Sequence, residues 1–155
     1  MIGDRHINGL RHTLDLLSLA KSPWCIIAGS ATALYTRDWS DVLDIDVIVA
    51  VDEARRLIAS GTFTDHTDGG SSRYRSVVYA TNDNGPMPID ICADFEVHVD
   101  GSWRPVRPTP TPIDTPAGTI YVPSLREQLE ITRLLGRPKD APRIARLEAL
   151  LATSP

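Results

Sequence analysis

Two apolar runs broken by lone aspartates constrain this chain more than any other feature. They are Val42-Leu43-Asp44-Ile45-Asp46-Val47-Ile48-Val49 and Ile89-Asp90-Ile91-Cys92-Ala93. Both are rich in β-branched residues, which suit a pleated, half-buried surface. Residues i and i+2 of a strand point the same way. Asp44 and Asp46 therefore share a face, while Ile45, Val47 and Val49 point to the other. Two acids side by side in such a run are costly unless something cationic sits between them. A hard divalent metal meets that need, and Mg2+ takes a few carboxylates together with substrate phosphates. Asp90 completes a carboxylate triad if its strand lies beside the first; otherwise it is a sheet-edge acid or a partner for Arg73 or Arg75. Asp94 is the substitute third acid, in a less strand-like setting.

Thirteen residues separate Gly29-Ser30 from Asp44. It reads as a turn between the short buried strand Trp24–Ala28 and a helix starting at Ala31. Glycine lets backbone approach a ligand closely, and a helix N-terminus offers free N–H groups to phosphate oxygens. The Ser30 hydroxyl adds a donor, or acts as a plain helix N-cap.

The rest of the chain supplies the scaffold. A helix is expected over residues 4–21, stopped by Ser22-Pro23. The acid-bearing strand covers Leu43–Val51, and Asp52 caps a helix from Glu53 to about Ser60. Residues 62–66 form a short strand. Arg73–Ala80 and Met87–Ala93 pair around a turn whose Asn84-Gly85 is a hairpin signal. Five prolines between Pro105 and Pro116 exclude regular helix and central strand there. That segment is expected to cover a site or pack on the sheet edge. Thr119–Val122 is a strand. Ser124 caps a helix to about Leu135 with Glu127 completing a capping box. Gly136-Arg137-Pro138 breaks it, and Asp140 caps a last helix to about Leu151. Helices alternate with strands and then strands dominate, so the class is α/β (α+β) with a mixed sheet.

Composition narrows the function. A net charge of −4 argues against broad coating of nucleic acid. Arginine outnumbers lysine fourteen to two, which suits phosphate recognition. No apolar run of membrane-spanning length exists, and residues 1–10 lack a signal-peptide pattern. The expected location is the cytoplasm, with no membrane partner. Cys25 and Cys92 read as buried free thiols, because no CxxC or His-Cys spacing supports a disulfide or metal pair. His6, His12, His66 and His98 show no ligand spacing. Trp24 and Trp39 read as core. Trp103, Arg104 and Arg107 are candidates for an acceptor-facing rim.

Gly29-Ser30, the thirteen-residue spacer, Asp44-Ile45-Asp46 and the later Ile89-Asp90-Ile91 resemble the signature of the nucleotidyltransferase superfamily of the DNA polymerase β type. The tail, Val122-Pro123-Ser124-Leu125-Arg126-Glu127 through Gly136-Arg137-Pro138-Lys139-Asp140, is similar to the small bacterial single-domain branch related to AbiEii-type toxins of toxin–antitoxin systems. The resemblance covers roughly residues 24–150. It implies one domain over 1–155, with a mixed β-sheet flanked by helices over about 24–122 and a C-terminal helical pair over about 123–152.

The function it implies is metal-dependent transfer of an NMP from an NTP to a hydroxyl acceptor. Asp44, Asp46 and Asp90 would bind Mg2+ (or Mn2+), and Asp90 would help deprotonate the acceptor. Gly29, Ser30 and Lys139 would hold the nucleotide's phosphates, and Asp140 is the toxin-like branch's candidate base. The acceptor stays open between a small molecule, tRNA and protein, and a partner protein or homodimer is possible in principle. A degenerate nucleotide-binding or interaction module and a toxin–antitoxin component are the alternatives. One departure is visible: relatives carry Lys-Asp-x-x-Asp at the tail, and here the last position is Arg143. No separate acceptor-binding domain is evident, which counts against an antibiotic-modifying enzyme.

Overall fold

The alternation of apolar and polar residues in the two acid-bearing runs is satisfied by making them neighbouring strands. The computed structural model describes residues 2–153; Met1, Ser154 and Pro155, the ends of the expected 1–155 unit, lie outside the described residues. In chain order, the first half comprises α1 (Asp4–Leu16), β1 (Cys25–Ile27), α2 (Ala28–Thr36), β2 (Ile45–Ile48), α3 (Val51–Ala59), β3 (Thr64–Asp65), β4 (Tyr74–Arg75) and β5 (Val78–Asn82). The second half comprises β6 (Ile89–Ala93), β7 (Glu96–Val99), β8 (Ser102–Pro105), β9 (Thr111–Thr115), β10 (Gly118–Val122), α4 (Leu125–Leu135) and α5 (Ala141–Thr153), with a 3-10 turn at Pro138–Asp140.

The main sheet has five strands in the order β1-β2-β6-β5-β3. Only β2 and β6 run parallel; the other pairings are antiparallel. One face carries Ile45, Val47, Ile89, Ile91, Val78 and Ala80, packed in one cluster with Leu10 of α1 and Ala54 and Leu57 of α3. Burying such aliphatic side chains stabilises by about 1.5–3 kcal/mol each before entropy is counted. The other face carries Ile48 and Ile27, covered by Val97 of β7 and by Ile131 and Leu135 of α4. That second cluster covers only part of its face, and Asp46, Asp90 and Tyr79, each half-buried, lie beyond it. This is the mixed sheet flanked by helices, with a C-terminal helical pair, that the sequence pattern predicts.

Several boundaries differ from the expected ones. α1 stops at Leu16 and β2 is confined to Ile45–Ile48. α3 begins at Val51 with Ala50 in the N-cap position and no side-chain cap. Asp52 therefore sits in the first turn, where a negative charge complements the helix dipole instead of capping it. Val78–Asn82 and Ile89–Ala93 pair as expected, but Tyr74-Arg75 pairs with β7 in a separate three-stranded sheet with β8.

The proline-rich segment contains strands after all. Pro105 ends β8, and Pro112 lies in β9, which pairs only with β10 in a two-stranded ribbon. Proline is tolerated there because an edge strand has a side that needs no donor. The ribbon packs through Ile120 and Val122 into the main core, and none of residues 105–116 lines the recesses around the acids. The segment therefore packs on the scaffold and does not cover that site. Ser124 caps α4 by accepting the Glu127 N–H at 3.2 Å. The reciprocal half of the expected capping box is absent, because the Glu127 carboxylate instead accepts the Thr109 N–H at 2.7 Å and ties down the proline segment. Gly136, at φ 56°, ends α4 in the left-handed region that favours glycine. Among the described residues, no helix is long and apolar enough to cross a membrane.

Candidate active site

Parallel pairing sets Asp46 opposite Asp90. Neighbouring residues in register leave a sheet on the same face, so the two carboxylates meet. Asp44, just ahead of β2, joins them: ligand oxygens of Asp44, Asp46 and Asp90 lie within 4.8 Å of one another. It is the single group of three or more His, Cys, Asp or Glu side chains with metal-holding geometry among the described residues. Asp94 is not part of it. Arg75 pairs with Glu96 at 2.8 Å and stacks on the Trp103 ring at 4.2 Å. Arg73 donates to the Leu135 carbonyl. Neither arginine neutralises Asp90.

The trio carries more negative charge than its surroundings balance. Burial, then the charges of Asp44 and Asp90, push Asp46 up to about 7 against the pull of Arg137 and Lys139. Burial, then Asp44 and Asp83, raise Asp90 to about 6, opposed by a hydrogen bond from Tyr79. Burial and then Asp90 hold the Tyr79 phenol at about 12, so it remains a donor. An all-oxygen set with unbalanced charge is the donor chemistry of a hard divalent cation. These residues therefore fit Mg2+ or Mn2+.

Gly29 and Ser30 play parts that differ from the simple turn. Both lie in the first turn of α2, and Ala28 takes the left-handed conformation at φ 59°. A non-glycine residue there stores strain that its surroundings must hold. The buried Gln128 does so, donating to the Ala28 carbonyl at 3.1 Å and to Thr32 Oγ1 at 3.1 Å. The Ser30 hydroxyl donates to the Asp44 carbonyl at 2.9 Å. This bond ties the start of α2 to the acid and is the physical content of the thirteen-residue spacing. Gly29 makes room for a side chain: a Cβ added there would lie 2.8 Å from Arg143 Nη2.

Arg143 belongs to a chain of charges that sequence reasoning missed. It donates from Nε to Asp41 Oδ2 at 3.1 Å and from Nη1 to Asp140 Oδ1 at 3.3 Å. Asp140 is fully buried. Its carboxylate also accepts from Arg137 Nε at 2.8 Å, Arg137 Nη2 at 3.1 Å and the Arg137 backbone N–H at 3.0 Å. Asp140 thus serves as the hub of an ion network in place of the α5 cap expected: its carboxylate accepts from the two arginines and the Arg137 N–H, and among the described residues from no α5 backbone N–H. The signal available was the i, i+3 spacing of Arg137, Asp140 and Arg143, the helical reach of oppositely charged pairs.

The exposed Lys139 shares a small recess of about 80 Å3 with Gly29, Asp44, Asp46, Arg137 and Arg143. A larger cavity of about 340 Å3 opens on the other side of Asp46, lined by Tyr74, Tyr79, Asp90, Phe95 and Arg137 among others. Arg104 and Arg107 line a different recess along α4, away from the acids. Cys25 and Cys92 are free, and burial pushes both thiols up to about 12. Trp24 packs edge-on against Tyr121, and Trp39 tilts against His6.

No family model matches this sequence, and no curated protein matches it significantly. Solved structures do. A candidate nucleotidyltransferase from Thermotoga maritima superposes with a TM-score of 0.71 at 20% identity, covering 96% of each chain. The lincomycin-bound lincosamide antibiotic adenylyltransferase LnuA gives 0.62 at 13% identity, covering 96% of this chain and 98% of that one. The antibiotic-resistance factor ANT(2'')-Ia gives 0.54 at 12% identity, covering 97% and 91%. This chain has the nucleotidyltransferase fold.

Proposed function

We propose that the protein transfers a nucleoside monophosphate from an NTP to a hydroxyl group of a small-molecule acceptor. The observation that carries this reading is the trio formed by Asp46 and Asp90 on neighbouring parallel strands and Asp44 just ahead of β2, their ligand atoms within 4.8 Å, beside Arg137 and Lys139. Asp44, Asp46 and Asp90 would hold the divalent cation. When bound, it would neutralise charge on the phosphates.

The recess of Gly29 and Lys139 takes the phosphates of the NTP. The cavity on the Asp90 side takes the acceptor, and its volume of about 340 Å3 matches the pockets that hold small molecules. The acceptor oxygen bonds to the α-phosphorus, the bond from that phosphorus to the β-bridging oxygen breaks, and pyrophosphate leaves with the electron pair. Asp90 takes the hydroxyl proton. Tyr79, on the adjacent strand β5, lines the same cavity as Asp90 and offers its phenol to that carboxylate. Catalysis is positioning and charge neutralisation.

Chain size gives no argument against an antibiotic-like acceptor, since this chain covers 98% of an antibiotic adenylyltransferase. The intact acid trio favours an active enzyme over a degenerate binding module. The test is calorimetric titration of ATP, CTP, GTP and UTP with Mg2+ or Mn2+ into the wild type and into Asp44→Ala/Asp46→Ala. Metal-dependent binding in the wild type alone is the expected result. A folded wild type that binds no NTP would sink the reading.

A further inference from the structure

We propose that Arg137 is a substrate-phosphate ligand of this site, and that Arg143 is the positioning residue that aims it through Asp140. The inference rests on the nucleotidyl-transfer reading and assigns roles to two residues that the motif resemblance leaves without any.

A guanidinium has five N–H donors in a fixed fork. Asp140 occupies two of the five in Arg137, one on Nε and one on Nη2. Three donors remain, and among the described residues no acceptor takes them. The Arg137 side chain is 26% exposed, so those donors face open space. That space is the site itself: Arg137 lines the phosphate-side recess, the acceptor-side cavity and the pocket between them, and Asp46 lines the same three. Arg137 is nevertheless not consumed by Asp46, because its ion pair is with Asp140. A fork held on one edge and open on the other presents a bidentate face to a phosphate.

Arg143 is the opposite case. Its side chain is 6% exposed, and Nε, Nη2 and Nη1 all meet carboxylates, two contacts to Asp41 and one to Asp140. Three of its five donors and nearly all of its surface are taken up inside the protein, so it serves the wall of the recess more than a ligand. Its effect is to hold Asp140, which holds Arg137, and to hold Asp41 on the loop that leads to Asp44. α5 makes a second clasp on that loop, since Arg146 pairs with Asp38 at 2.8 Å. The arginine that replaces the second acid of the tail motif therefore rebuilds the site's wall with the opposite charge, and Asp140 becomes a bridge between two cations.

The experiment uses the full chain with two probes, Mg2+–ATP and, free of any base, Mg2+–pyrophosphate. Affinities are measured by calorimetry for the wild type, Arg137→Gln, Arg137→Lys, Arg137→Ala, Arg143→Lys and Asp44→Ala/Asp46→Ala. Mn2+ binding without nucleotide is followed by electron paramagnetic resonance. Arg137→Gln is expected to weaken both phosphate probes at least tenfold while Mn2+ binding holds or tightens, because a neighbouring cation has gone. Arg137→Lys keeps the charge, loses the fork and falls between the two. Arg143→Lys weakens the probes severalfold with Mn2+ binding unchanged. Added guanidinium ion restores part of the binding lost in Arg137→Ala.

Wild-type affinity in Arg137→Gln, with binding lost only in Asp44→Ala/Asp46→Ala, would overturn this inference and leave the enzymatic reading standing. Parallel loss of Mn2+ and phosphate binding in Arg137→Gln would make the residue merely structural. A wild type that binds neither probe overturns both readings.

Discussion

Asp46 and Asp90 face the same side of the sheet from directly opposed positions on the parallel strands β2 and β6. Parallel neighbours in register hold their side chains in a row, so the sheet keeps the Cβ atoms of the two acids close whatever rotamers the carboxylates take. The chain tolerates this because the opposite faces of both strands, Ile45 and Val47 with Ile89 and Ile91, are fully buried or nearly so. Packing energy on one face holds electrostatic repulsion in place on the other. The stored repulsion is what a cation would relieve.

The metal-free protein should therefore lose stability as pH rises from about 4 to 7. Asp46 at about 7 and Asp90 at about 6 are raised in the folded state above an unfolded value of about 4. In that window the folded chain binds more protons than the unfolded chain, so stability falls with rising pH and levels off above it. Asp46→Asn should flatten the curve and raise the thermal midpoint at pH 8 in EDTA by about 3–6 °C, taking ~1–2 kcal/mol of relieved repulsion. Mg2+ should raise the wild-type midpoint more at pH 8 than at pH 5, because protons compete for the same oxygens. Scanning calorimetry across pH 4–8 checks both, and a variant no more stable than wild type at pH 8 contradicts the account.

Asp140 should behave with the opposite sign. Although burial alone would raise it, the hydrogen bonds and charge of Arg137, with Arg143, hold its carboxyl below the ordinary value. Its contribution is complete above an unfolded value of about 4 and is lost as pH falls through the lower folded value. Asp140→Ala strips the buried Arg143 of one of its two carboxylate partners, leaving Asp41, so the loss should approach but not exceed the ~3–5 kcal/mol of a fully broken buried pair. Urea unfolding at pH 7 should show that drop. Asp140→Asn, which keeps the side chain's shape and one of its two acceptor oxygens but not the charge, should cost less.

Strand patterns and the acids were legible in the sequence because a strand's two-residue period is local. Asp44, Asp46 and Asp90 could be read as one-faced from their immediate neighbours. Their union depended on β2 lying beside β6, a tertiary fact on which the sequence is silent. The same limit hid Arg143. Read along the chain, it is a missing acid; in the fold it sits under Gly29 and between Asp41 and Asp140. Glu127 shows a local rule losing to a distant partner, since its carboxylate leaves the helix cap for the Thr109 N–H. The prolines of 105–116 bar a central strand by lacking a donor, a local rule, and the edge ribbon β9–β10 is the solution they allow.

Ser30→Ala should destabilise the protein with no nucleotide present. Its hydroxyl is buried and donates to the Asp44 carbonyl, so removing it leaves that carbonyl short of a partner, at a cost of about 1–2 kcal/mol. The Asp44 backbone then loses its anchor, the carboxylate it carries is held less firmly, and Mn2+ affinity should fall severalfold. A Ser30 that acted only on the nucleotide's phosphates would leave both the urea midpoint and metal-only binding untouched. Chemical denaturation and Mn2+ titration of the variant separate these roles.

Gly29→Ala should be destabilising for a reason that lies on α5. The added Cβ would sit 2.8 Å from Arg143 Nη2, too close for carbon against nitrogen. An arginine tip usually swings aside cheaply, but this one is pinned by Asp41 and Asp140. The methyl must then break those pairs or push α2 away, and overpacking of this kind costs about 1–3 kcal/mol. Arg143→Ala removes the obstacle. In that background the same glycine substitution should cost ~0.5 kcal/mol or less, since alanine suits a helix better than glycine. The double-mutant cycle would show a coupling of about 1–2 kcal/mol, as expected of residues in contact. Additive effects in urea unfolding would mean that Gly29 is required by backbone conformation or ligand approach, and that Arg143 does not set its identity.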